Sequence, residues 1–459
     1  MQNTLHIAVI GAGLAGSECA YQLAKSGFKV SLIEMRPLRS SPAHQGEKPA
    51  ELVCSNSFRS RDVGNAVGLL KEEMSSLDSL IMRAAYKARV PAGGALAVDR
   101  DAFSDFIAAR LQSFSNIDRV SEIVVGLDLT DEQLQLRFES GQSLSCDRAV
   151  IATGPLTDDA LASWIKENTQ SDYLYFYDSI APIVDRDSID MNKAFRASRY
   201  DKDQGDGDYI NCAMNEEQYN HFITEIENAE KIEVKDFDQA QFFEGCLPIE
   251  EMIRRGRETL RYGPLKPVGI TNPHKPEERA HAVVQLRQDN LHATLFNMVG
   301  FQTRMKWGEQ KRIFRMIPGL ENAEFVRMGA MHRNTYICSP VVLQGLLQLK
   351  ENPRVHFAGQ ITGCEGYVES AAIGLMVGLG LSYEARTQKP MPLPGNTTAL
   401  GALLHHILHA DPKDYQPMNV NFGLFEELEV RTKKVDKKLK VVQRAAFDLR
   451  RWIYDNDLV

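Results

Sequence analysis

The 459-residue chain has no pair of cysteines at C-x-x-C spacing. Its seven cysteines, Cys19, Cys54, Cys146, Cys212, Cys246, Cys338 and Cys364, are scattered and odd in number. A dithiol redox motif is thereby excluded, and a disulfide framework or zinc site is not expected. The default for each is a reduced, buried, small apolar side chain. No apolar run approaches the roughly 18 residues of a membrane span. The opening MQNTLHIAVIGAG lacks the basic and apolar regions of a secretory leader, so a cytoplasmic protein without membrane attachment is expected. A net charge of −8 excludes an all-over basic coat for nucleic acid, though not a local basic patch. Internal repeats, low-complexity tracts and a second G-x-G-x-x-G are all missing. His405, His406 and His409 share a helical face without an acid at ligand spacing, so no metal site is expected.

What is present begins at the N-terminus. HIAVI (6–10) is a short apolar run ending in glycines, as a buried strand does. The turn Gly11-Ala12-Gly13-Leu14-Ala15-Gly16 follows it and opens a helix over 14–26, which Gly27 terminates. KVSLIE (29–34) is the second strand, and Glu34 stands at its end, 18 residues after Gly16. The first glycine permits a tight turn, the second lets backbone approach a pyrophosphate, and the third lets helix and strand pack closely. The helix N-terminus offers N–H groups and a positive dipole end to phosphate, and the terminal acid reads ribose hydroxyls. These features predict a dinucleotide site. Ala152-Thr153-Gly154 after an apolar strand, and Phe357-Ala358-Gly359-Gln360 before the helix carrying Glu369, favour FAD over NAD. Gly154, Gly359, Gln360 and Glu369 join Gly11 to Gly16 and Glu34 as the expected cofactor-binding residues.

Chain length argues for at least two domains, because a single core stops growing near roughly 250–300 residues. A helix is expected at 66–86. The segment from about 185 to 315 is dense in Asp, Glu, Asn and Tyr and then strand-like, as in HAVVQLR (281–287). It is expected to be an inserted smaller α/β domain. RVHFAGQITG (354–363) returns to the N-terminal style. The expected fold is therefore α/β: a Rossmann-type two-dinucleotide FAD-binding domain built from both chain ends (1–184 and 316–459) around the insertion at 185–315. The C-terminal segment 431–452 is a basic helix.

Longer stretches are more specific: AELVCSNSFRS (50–60), NAVGLLKEEM (65–74), VPAGGALAVDR (90–100), FFEGCLPIE (242–250), YGPLKPVG (262–269), VGFQTRMK (299–306), MHRNTYI (331–337), GQITGCEGYVESAA (359–372) and QPMNVNFGL (416–424). Together they resemble the folate- and FAD-dependent tRNA (uracil-5-)-methyltransferase family, in its order, over nearly the whole chain. The resemblance implies FAD as cofactor, 5,10-methylenetetrahydrofolate as carbon donor, NADPH or NADH as reductant, and C5 of a uridine in the T-loop of tRNA as acceptor. An equivalent uridine of ribosomal RNA and a plain flavin oxidoreductase are the alternatives. By the same resemblance Cys54 and Cys246 are the catalytic pair. Uracil C5 is a poor nucleophile, and a thiolate adding to C6 makes it reactive. Cys246 is expected to add to C6 and Cys54 to work at the flavin, with the reverse assignment open. The other five cysteines keep the packing default. His332, Arg333 and Asn334 are either ligand contacts or a capped loop, and His44 is expected to be a loop residue. Arg59, Arg61, Arg254, Arg255, Arg257 and the C-terminal basic residues are candidates for phosphate contact.

Overall fold

In a computed structural model, residues 5–129, 134–169, 174–201, 207–232, 247–428 and 434–458 are described. Cys246 lies outside the described residues. The main sheet has seven strands in the order Leu343–Gln344, Gln348–Leu349, Asn352–Phe357, Arg148–Ile151, His6–Ile10, Lys29–Glu34, Ile117–Ser121. The last five of these are mutually parallel. Parallel strands are covered on both faces, which is why HIAVI is apolar throughout rather than alternating. Residues from both ends of the chain thus pair side by side: Ala149 is the register partner of Val355, and Ala8 of Ala149.

The helix Leu14–Lys25 packs against the helix Tyr367–Thr387. Small residues let the two axes approach. A Cβ placed at Gly374 would fall 2.2 Å from the Ala15 carbonyl oxygen. Gly27, at φ +87, follows the first helix in the left-handed conformation expected there.

The expected helix at 66–86 is instead two helices, Ala66–Ser76 and Leu80–Lys87. Ser79 caps the second by accepting from the Met82 N–H, and Asp78 sits at φ +60 in the break. A side-chain cap that stops one helix and starts another is local polar chemistry, which apolar periodicity does not register.

A second core gathers buried residues from Ala181 to Ala323. Its sheet is antiparallel throughout, in the order Phe195–Ala197, Tyr209–Met214, Ala282–Gln288, Leu295–Met298, Ile183–Asp185, Phe325–Arg327. Two connecting strands, Leu174–Ile180 and Ala330–Tyr336, pair antiparallel with each other and form the neck between the cores. MHRNTYI is therefore strand rather than loop: His332 pairs with Asp178 and Asn334 with Phe176. The partner strand lies more than 150 residues away in sequence, so local composition does not reveal the pairing. Among the described residues no helix is long and apolar enough to cross a membrane.

Candidate active site

Two cavities meet near Cys54. The first runs over the carboxyl ends of the parallel strands, where open α/β sheets hold their ligands. It encloses about 1040 Å³ of empty space. Of the residues expected from sequence, Gly11, Gly13, Leu14, Ala15, Glu34, Gly154 and Gln360 line it.

The three motif glycines behave differently. A Cβ at Gly11 would lie 2.6 Å from the Ala152 carbonyl oxygen, and φ is +101. A Cβ at Gly16 would lie 1.8 Å from the Gly11 carbonyl oxygen. Both are required by the fold. At Gly13 a Cβ would meet nothing within 4 Å, and φ is an ordinary −72. Nothing in the chain itself demands glycine at that position. Gly13 is the N-cap of the first helix and no side chain caps it, so the first N–H groups of the helix remain open to the cavity. That empty space, facing a helix N-terminus, fits a pyrophosphate.

Glu34 is tied in place. One carboxylate oxygen accepts the Ala12 N–H at 2.9 Å, and the other accepts the Arg36 Nε–H at 2.9 Å. Burial by itself would raise the Glu34 carboxyl, but Arg36 and the Ala12 N–H outweigh it and hold the group below the usual carboxylate range. Arg36 also donates to Glu51 at 3.0 Å. Ala12 thus serves through its backbone, and at Gly359, where φ is +80, a Cβ would fall 2.6 Å from the Ala15 Cβ.

Glu369 is placed elsewhere. Fully buried, it takes the Arg59 guanidinium on both oxygens and accepts the Val420 N–H at 3.0 Å. It is spent on an internal ion pair under the cavity rather than in its lining. On the same helix Ser370 lines the cavity, and so does Tyr367. The Tyr367 hydroxyl oxygen accepts the N–H groups of Cys54 (2.8 Å) and Ser55 (3.1 Å). Burial, then the adjacent Cys54, pushes the Tyr367 phenol upward, so it keeps its proton.

Cys54 lines the second cavity, which encloses about 790 Å³. Ser55, Leu247, Met252, Pro264, Arg287, Asn297 and Gln302 are among its other walls. Leu247 directly follows Cys246 in sequence. The Cys54 thiol lies 3.6 Å from the Ser179 carbonyl oxygen in the neck. Arg100, Arg287 and Arg327 all stand within electrostatic range of it. Arg100 is anchored on Asp289 at 2.9 Å and Arg287 on Asn56 at 3.0 Å. Asn56, fully buried, also donates to the carbonyls of Val98 and Gln288, clamping the first core to the second.

Cys54 is half-buried, whereas Cys19, Cys146, Cys212, Cys338 and Cys364 are buried. Burial pushes the Cys146 and Cys212 thiols up to about 12. His332 is lowered by burial and by Arg327. His44 lines the first cavity, with Nδ1 2.6 Å from the Ser41 hydroxyl. Sequence reasoning misses Arg36, Tyr367, Arg100, Arg287, Arg327 and Asn297. Tyr367 and Arg100 carry a usable signal, through their places in GQITGCEGYVESAA and VPAGGALAVDR.

The chain matches the family model of glucose inhibited division protein A over residues 6–389. It is 52% identical to the methylenetetrahydrofolate–tRNA-(uracil-5-)-methyltransferase TrmFO of Geobacter sulfurreducens over 447 residues, covering 97% of this chain and 98% of that one. With the protein of the same name from Desulforamulus reducens it is 53% identical over 448 residues, covering 97% of each. Aquifex aeolicus GidA (form II crystal) superposes with a TM-score of 0.71 at 15% identity, covering 98% of this chain and 74% of that one, a likeness of fold. The chain therefore belongs to the methylenetetrahydrofolate–tRNA-(uracil-5-)-methyltransferases, within the broader family of glucose inhibited division protein A.

Proposed function

We infer that the chain replaces the C5 hydrogen of a uridine in the T-loop of tRNA with a methyl group. The carbon comes from 5,10-methylenetetrahydrofolate and the reducing power from NADPH or NADH. The observation that carries this reading is identity above 50% over almost the full length of proteins with that named activity. The placement of a half-buried thiol in the lining of the second cavity supports it.

The first cavity fits FAD: the helix N-terminus at Gly13 would hold its pyrophosphate, and Glu34, fixed by Arg36 and Ala12, would take its ribose hydroxyls. When bound, FAD supplies the two electrons that convert a methylene carbon to a methyl group. The chain's own residues do the remaining work. Tyr367 pins the backbone of Cys54 between the two cavities. Arg100, Arg287 and Arg327 stand within electrostatic range of that thiol. Cys246 adds to uracil C6, so that C5 becomes the nucleophile and bonds to the methylene carbon as the first of that carbon's two bonds to folate nitrogen breaks. Cys54 takes the C5 proton as the second carbon–nitrogen bond breaks, leaving an exocyclic methylene on C5. A hydride equivalent, which the reduced cofactor would supply, completes the methyl group as departure of the Cys246 sulfur restores the C5–C6 double bond. The target base must leave its stack to reach this depth. The protein works in the cytoplasm, with its RNA.

The test mixes purified protein with labelled methylenetetrahydrofolate, NADPH and unmodified tRNA or ribosomal RNA transcripts. Label is expected in tRNA, at uridine C5. Label in neither RNA refutes the methyltransferase reading, and label only in ribosomal RNA replaces its substrate. For the two thiols, each is changed to alanine and the RNA is examined for a covalent adduct. An adduct that survives Cys246→Ala overturns the assignment of roles.

A further inference from the structure

Asn297 lies on the strand Leu295–Met298, directly across the antiparallel ladder from Arg287 on Ala282–Gln288. Register partners present their side chains on the same face of a sheet. Both line the second cavity together with Cys54 and Gln302. Arg287 spends its Nε and one terminal nitrogen on Asn56 and Ser55. Asn297 is only 3% exposed, and its Nδ2 has no hydrogen-bond partner among the described residues. Buried amides are almost always paired, so an orphaned one facing a cavity is a site prepared for something else to fill.

We propose that Asn297 reads the C4=O/N3–H edge of the target uracil in this cavity, with Nδ2 donating to O4 and Oδ1 accepting from N3–H. A carboxamide is the complement of that edge, since it carries one donor and one acceptor side by side. Held this way, the ring has its C6 atom on the side away from Asn297, free for attack by a thiol. Arg287, beside Asn297, supplies a further fixed donor at the same wall. The proposal rests on the methyltransferase reading and adds to it the residue that positions the base. The pterin of folate carries a similar cyclic amide. Uracil is favoured because the Cys54 thiol, assigned to receive the C5 proton, lines this cavity together with Leu247, the neighbour in sequence of Cys246.

The test uses full-length, FAD-loaded protein with Asn297→Ala and the near-isosteric Asn297→Asp. Two tRNA transcripts are compared, one with uridine and one with 4-thiouridine at the target, since sulfur is the weaker acceptor. Wild type is expected to favour uridine by about 5- to 10-fold in kcat/KM. Asn297→Ala is expected to lose about 10- to 100-fold on uridine and to treat the two transcripts within about 3-fold of each other. NADPH oxidation, flavin content and the KM for folate are expected to stay at wild-type values. If Asn297→Ala loses its flavin, Asn297→Asp carries the same comparison. Undiminished preference for uridine in the variants, or a raised KM for folate in place of the effect on RNA, overturns the assignment of Asn297 alone. A wild-type chain that labels no RNA overturns the underlying reading, so the two failures are distinct.

Discussion

The two cavities that meet at Cys54 are made of different material. The first is prepared for phosphate by backbone, a glycine turn and an uncapped helix N-terminus, with Glu34 at a strand end beside them. The second is walled by Cys54 and Ser55, by Arg287 and Asn297 of the second sheet, and by residues between Leu247 and Gln302 that flank that sheet. A backbone-built site binds a group common to many nucleotides. A side-chain-built site separates one substrate from its analogues, because each polar group left unpaired by the wrong ligand carries a penalty.

The comparison breaks most visibly at its boundary. Cys54→Ala is expected to reduce methyl transfer by at least about 1000-fold, while flavin content by absorbance stays at the wild-type level. Loss of flavin with that substitution would mean the two cavities are not separable. Within the first cavity, Gly13→Val is expected to weaken FAD about 100-fold with the melting temperature of the cofactor-free chain nearly unchanged. Gly16→Ala, by contrast, meets the Gly11 carbonyl and should lower the stability of the cofactor-free chain by about 1–3 kcal/mol. Equal melting losses from both would erase the distinction between a ligand-facing and a fold-facing glycine. Glu369→Gln is expected to cost about 2 kcal/mol in denaturant unfolding. That is less than a fully buried pair because Arg59 is 37% exposed.

The smallest effect concerns pH. Glu34 is held below the usual carboxylate range, so its stabilising contribution is present above that range. It is lost as pH falls through the folded value. Thermal unfolding across the acid limb should therefore be steeper for wild type than for Glu34→Gln. Parallel curves would remove Glu34 from the account.

Sequence legibility follows the same division. The turn from Gly11 to Gly16 and Glu34 is readable because a βαβ unit places all its parts within about 30 residues. Cys54 is found through the length of the motif around it. Tyr367 lies 313 residues from Cys54, and Asn297 meets Arg287 only through strand register. No local pattern encodes either contact. The sequence places Glu369 at the cofactor because it follows Gly359 and Gln360 in a motif. Position along a helix does not say which face a carboxylate takes, and that face is set by Arg59. The sequence leaves His332 open to a loop reading because its strand partner comes from a distant segment.

The neck has a consequence for how the second core is tethered. Ile180 and Ala330 are register partners in an antiparallel pair, so the chain leaves and re-enters the cofactor-binding core within about 5 Å. The roughly 150 residues between them begin and end at one point. A hairpin turn of two residues would close the gap. The wall that carries Asn297 is thus joined to the cofactor-binding core through two adjacent strands, so both of its chain connections pass through one place.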